Sequence, residues 1–94
     1  MTITCDGERC TVRGALTMTN VSAVLEESAR VFQGSRIIVD LSGVAEVDSA
    51  ALSLLLEWRR VANAANRVIE YTNLPANLRS LADLYGVSDL LGAA

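Results

Sequence analysis

The sequence predicts one two-layer α/β domain, a mixed four-stranded sheet with its helices on one face. Three observations carry that expectation. Asp6-Gly7 lies between two short runs of alternating polarity, the pattern of an antiparallel hairpin. Residues 37–39 are apolar on successive positions, as in a central strand covered on both faces. A helical stretch of roughly residues 49–66 separates that strand from the run Val68–Thr72 and is long enough to cross between parallel strands.

Residues 2–5 and 10–16 form the two hairpin strands, with Gly14 the expected bulge. Cys5 and Cys10 flank the turn, so their thiols can face one another across the pair. A reducing compartment favours reading them as small apolar fillers, with a reversible disulfide as the alternative. Thr19 or Asn20 then caps a first helix. Val21, Val24, Leu25, Ser28 and Phe32 recur on one side of it, opposite Glu26, Glu27, Arg30 and Gln33, and the helix ends before Gly34. Asp40 is expected to end the central strand and to hydrogen-bond the loop that follows. Leu74-Pro75 opens a third helix, where Pro in the first turn loses no needed hydrogen bond. Leu74, Leu78, Leu81 and Tyr85 form its inward stripe, Gly86 is its stop, and a last short turn covers residues 88–91.

The chain has 94 residues, so a single domain over residues 1–94 with one modest core is expected. At 51% hydrophobic but 4% aromatic, that core must be aliphatic around Trp58 and Phe32. Eight basic residues, all Arg, against eleven acidic ones give a net charge of −3, which argues against nucleic acid as a partner. A small basic patch remains at Arg59 and Arg60. No window reaches the roughly 20 apolar residues of a membrane span, and the first residues lack a secretory pattern, so the expected location is cytoplasmic. With no His, no Lys and two hairpin cysteines, the chain offers no zinc-type ligand set, Walker lysine or Ser-His or Cys-His pair. We therefore expect no catalytic residues, no metal and no cofactor, and a protein that is not an enzyme.

The second helix carries the candidate site. At about 100° per residue, Ala50, Ala51, Leu54, Leu55, Trp58, Val61, Ala62 and Ala65 fall on the sheet-facing side. The opposite side sets Leu52 and Leu56 among Ser49, Ser53, Arg60 and Asn63, as in a small protein-binding patch; Leu84 can extend it. The alternative is that Leu52 and Leu56 pack sideways against the first or third helix. Either the Ser49 hydroxyl or the Asp48 carboxylate can accept from the unpaired amides of the first turn. A phosphate on Ser49 would sit at the positive end of the helix dipole, and would place about two negative charges beside Leu52.

Asp40-Leu41-Ser42-Gly43-Val44 followed by Val47-Asp48-Ser49-Ala50-Ala51-Leu52 resembles the signature of STAS domains, the group that includes bacterial anti-sigma factor antagonists. The Asp-Ser step matches the position where antagonists carry a phosphorylated Ser or Thr. They usually have a Gly soon after it, whereas this chain reads Ser49-Ala50-Ala51. Asn73-Leu74-Pro75-Ala76-Asn77-Leu78 and Leu81-Ala82-Asp83-Leu84-Tyr85-Gly86-Val87 are similar to the MlaB family, the STAS subunits of Mla phospholipid transport complexes. That resemblance implies a two-layer STAS-like fold and a cytoplasmic subunit that binds the ATPase of an ABC transporter and is held at the inner membrane through that partner. It implies support for the transporter's assembly and activity in outer-membrane lipid asymmetry. It places the contact at the start of the second helix, so Ser49 is carried over as an interface residue; the patch read from helical spacing lies in the same place, and Asp48, Ser49, Leu52, Ser53, Leu56 and Arg60 are together the expected partner-binding residues. The alternative it implies is an anti-sigma factor antagonist that binds a kinase and is switched by phosphorylation of Ser49.

Overall fold

A computed structural model describes residues 2–91. Its spine is a sheet of four strands in chain order: β1 (Ile3–Asp6), β2 (Arg9–Leu16), β3 (Arg36–Val47) and β4 (Val68–Thr72). β1 and β2 pair antiparallel around Asp6-Gly7 with Cys5 opposite Cys10, and β2–β3 and β3–β4 are parallel. The helices α1 (Val21–Val31), α2 (Ser49–Ala64) and α3 (Ala76–Leu84), followed by a 3-10 turn at Asp89–Leu91, complete the fold. The mixed sheet and its parallel crossovers are as expected.

Alternation along the strands sorts the two sheet faces. Ile3, Cys10, Val12, Ile37, Val39, Leu41, Ile69 and Tyr71 are buried and meet the apolar side of α2, contributed by Ala51, Leu54, Leu55, Trp58 and Ala62. The other face carries polar and charged pairs. Arg9 bridges Asp40 at 2.8 Å, and Arg36 grips both oxygens of Glu70 at 3.0 and 3.1 Å. Ile38 lies between those pairs and is half-buried, so the central strand is covered on one face, not on both. Central position, not double burial, accounts for its unbroken apolar run.

Asp40 does not end β3, which continues to Val47 because Arg13, Gly14, Ala15 and Leu16 of β2 pair with Gly43, Val44, Glu46 and Val47. Close approach makes this run possible: a Cβ on Gly43 would lie 2.9 Å from the Arg13 side chain and 3.0 Å from the Val12 carbonyl. The β2–β3 register shifts at Thr11/Arg13 and Gly14/Ala15, and each time the extra residue is on β3, so the bulge expected at Gly14 in the hairpin is instead a bulge of β3 opposite it; Gly14 itself has φ of +88°, which suits a residue without a side chain. Asp40 does bind the chain beyond it, through Ser42 N–H to Oδ1 at 2.9 Å. That bond, then the Ser42 hydroxyl, the Asn73 amide and Arg9, hold its carboxyl well below the usual carboxylate range despite partial desolvation.

Cys5 and Cys10 form a disulfide, which corrects the expectation of two free thiols. Direct cross-strand pairing on the helix-facing side brings the two sulfurs together, and neither cysteine is free. The exposed edge of β1 is met by α1: Glu27 accepts from Thr2 N–H at 3.2 Å and from Ile3 N–H at 2.8 Å. A carboxylate therefore occupies amides that would otherwise be open to strand addition.

Candidate functional site

The start of α2 is built by Asp48. Its Oδ1 accepts from Ala50 N–H at 2.8 Å, while its Oδ2 accepts from Met18 N–H at 3.1 Å. Its own N–H donates to the Leu16 carbonyl at 3.4 Å. One residue thus caps α2 and ties the β2–α1 connection to it. That connection is itself folded, because Asn20 Oδ1 accepts from Thr17 N–H at 2.9 Å and Asn20 Nδ2 donates to the Ala15 carbonyl at 2.6 Å. Asn20 occupies the cap position of α1, but its side chain turns back into the loop and leaves the first turn of α1 without a side-chain cap.

With Asp48 as the cap, Ser49 is released from that duty. Its side chain is exposed, and its hydroxyl has no hydrogen-bond partner among the described residues. Ser53, one turn on, is exposed as well. The ridge continues to Arg60, which is exposed but bound to Glu57 through two hydrogen bonds of 2.8 and 2.7 Å. Arg60 therefore brings an ion pair to the surface, not a bare cation.

Leu52 departs from the expected patch. It is 4% exposed and belongs to the core, and Leu56 is half-buried against that core. The reason is tertiary: α2 packs against α3 and the final 3-10 turn, whose Leu91 is 1% exposed. Sideways packing, the alternative reading, describes Leu52. What remains accessible is a cleft of about 290 Å³ between α2 and the end of α3, lined by Ser49, Leu52, Ser53, Leu56, Tyr85 and Val87.

Three apolar residues of the neighbouring segments are exposed, Met18 at 77%, Leu84 at 76% and Tyr85 at 57%, and of these Tyr85 lines the cleft. Leu84 was anticipated as an extension of the site. Met18 was not, since a single loop methionine has no periodic signal; its link to Asp48 is visible only once the chain is folded. Tyr85 was assigned to the inward stripe of α3, but the helix ends at Leu84 and Tyr85 turns outward at its C-cap. Among the described residues no His/Cys/Asp/Glu cluster suits a metal ion, and no helix is long and apolar enough to cross a membrane.

Several solved structures share this architecture. One described as the anti-sigma factor antagonist SpoIIAA in its unphosphorylated form superposes with a TM-score of 0.71 at 19% identity, covering 93% of this chain and 81% of that chain. A sulfate transporter family protein from Wolinella succinogenes gives 0.70 at 15% identity, over 90% of this chain and 70% of that chain. A structure described as Mglu gives 0.61 at 21% identity over 79% of this chain, which spans only 19% of that chain. At these identities the likeness shows the fold alone. No curated protein matches the sequence. Four strands in this order with helices on one face give the molecule the STAS architecture. Residues 2–92 match the family model described as "Mlab, STAS domain", and the chain belongs to that family.

Proposed function

We propose that this chain is a non-catalytic STAS subunit that docks, through the start of α2, on the ATPase of an ABC-type phospholipid transporter and supports its assembly and activity in outer-membrane lipid asymmetry. One observation carries the reading: Ser49 presents an unengaged hydroxyl on a turn held rigid by Asp48, beside a cleft lined by Leu56, Val87 and the exposed Tyr85. A rigid polar point next to a shallow apolar hollow suits recognition by another folded protein, because little side-chain entropy is lost on contact. The family description, which names Mlab, supports the choice of partner. In this reading the contact is made by Ser49, Ser53, Leu56 and Tyr85, with the Arg60–Glu57 pair at the rim. Asp48 and Leu52 act from beneath. The ATPase would hold the subunit at the cytoplasmic side of the inner membrane.

The test is co-purification with a Mla-type ATPase. Ser49→Glu is expected to abolish it while changing unfolding free energy by no more than about 0.5 kcal/mol, as is usual for exposed positions. Undiminished capture of the ATPase by the Glu variant would refute the interface. A second reading, partner switching with an anti-sigma kinase, is favoured by the same free hydroxyl, which a kinase could reach. Intact-mass measurement after incubation with kinase and ATP separates the two, since only switching predicts an added phosphate at Ser49.

A further inference from the structure

On the other flank of α2, a cavity of about 310 Å³ opens between α1 and α2 over the edge of the sheet. Its walls are Leu25, Phe32, Trp58, Val61 and Ile69, with Arg67 at one end. That volume reaches the lower end of the roughly 300–1,000 Å³ typical of small-molecule sites. Phe32 and Trp58 form a tilted aromatic pair with centroids 5.1 Å apart. The indole N–H is already spent on Ser28 Oγ at 2.7 Å, so the cavity meets the ring's apolar surface. A second hollow of about 200 Å³ adjoins it toward the start of both helices and shares Leu25 and Glu57 with it. Together the two follow α2 from Ala50 to Ala62, about 18 Å at 1.5 Å per residue. The space is long and narrow.

Charge is placed at one end of it. Arg67 has no carboxylate partner among the described residues, and its guanidinium makes one long hydrogen bond, Nη1 to the Phe32 carbonyl at 3.4 Å. A guanidinium carries five N–H donors, so most of its capacity is free. Glu57, midway along, is neutralised by its two bonds to Arg60. The Phe32 carbonyl at the C-terminus of α1, which would repel an anion, is covered by Arg67 itself.

We propose that the α1–α2 groove binds a single-chain amphipathic carboxylate, of the medium-chain fatty-acid class, with the carboxylate on Arg67 and the tail over Phe32 and Trp58. A neutral chain would leave the guanidinium unpaired, and a cationic one would meet it with like charge. Ser53 and Glu57 border both this groove and the docking surface, but Arg67, Phe32 and Trp58 belong to the groove alone, so the two proposals are tested separately.

Trp58 is the single tryptophan of the chain, so its emission reports directly on the cavity. Titration of the full chain with decanoate below its micellar range is expected to give a saturable, one-to-one change in that emission. Arg67→Gln should weaken decanoate at least tenfold and leave decanol unaffected, while decyltrimethylammonium should not bind the wild-type chain. Ala29→Phe, which fills the wall of the groove from α1, should abolish the change and provides a check should Arg67→Gln fold poorly. An emission that does not saturate, equal affinity for decanoate and decyltrimethylammonium, or undiminished decanoate binding to a folded Ala29→Phe variant would overturn the proposal.

Discussion

The two flanks of α2 share one helix and differ in what lies beneath them. On the α3 flank the hollow is floored by Leu52, a core side chain at 4% exposure, and rimmed by hydroxyls at Ser49 and Ser53. On the α1 flank the hollow reaches Trp58 and Phe32 and ends at a cation, Arg67. Shallow and polar-rimmed space fits the surface of a folded protein, whereas narrow apolar space with one charge fits a small amphiphile. A single helix thus separates two kinds of recognition by the side chains it shows to each neighbour. It also ties both to the core through the buried Ala51, Leu54, Leu55, Trp58 and Ala62, whereas Val61, expected on the sheet-facing side, is 47% exposed on the groove wall.

The sharpest way to break this comparison is to remove the floor of the α3 flank. Leu52→Ala is expected to destabilise the domain by about 2–5 kcal/mol, the range for truncating a buried leucine. Urea unfolding measures it. A change below 1 kcal/mol would mean that Leu52 is a surface residue and that the patch is apolar after all. Because Leu52→Asp would bury a charge and unfold the chain, it cannot report on docking, and Ser49→Glu is the informative substitution.

Next in size is the α1 flank. Ser28 Oγ accepts the Trp58 indole proton at 2.7 Å and donates to the Leu25 carbonyl at 2.7 Å, so one buried hydroxyl joins α1 to α2 at the cavity wall. Ser28→Ala leaves the indole N–H without its partner, at an expected cost of about 1–3 kcal/mol. Its effect should be visible in both the denaturant midpoint and the Trp58 emission. Restoration of stability by Ser28→Thr, which keeps the hydroxyl, would tie the loss to the hydrogen bond.

How far these features were legible in the sequence follows from their range. The Asp6-Gly7 hairpin and the long crossover helix are local signals, and each stands where its residues place it, whereas the bulge expected at Gly14 falls on β3 opposite it. Residues 41–47 are rich in Ser, Gly, Ala and Glu and read locally as a loop. Pairing with β2, more than two dozen residues away, makes them strand. Leu52 was misplaced for the same kind of reason. A helical wheel shows which side faces the sheet, but not that α3 and the last turn close over the opposite side. The cavity at Trp58 had no sequence signal, because it depends on how far apart two helices lie. Asp48 and Ser49 were legible as a pair. Which of them caps the helix depended on geometry that composition does not encode.

That division of labour sets the smallest effect, and the one most specific to the site. Asp48→Ala removes the acceptor for Ala50 N–H and, unlike an ordinary cap loss, also releases Met18 N–H from the other carboxylate oxygen. The cap alone is worth about 1 kcal/mol. Met18 lies in a short connection whose remaining side-chain bonds, through Thr17 and Asn20, are internal to it or reach back to Ala15 of β2, and none of them goes to α2. The Ala variant should therefore lose about 1 kcal/mol in unfolding free energy and show faster amide exchange at both Met18 and Ala50. Ser49→Ala, by contrast, should leave both amides as protected as in the parent chain. If exchange quickens at Ala50 alone, Asp48 is only a helix cap, and the rigidity on which docking at Ser49 depends must come from elsewhere in the loop.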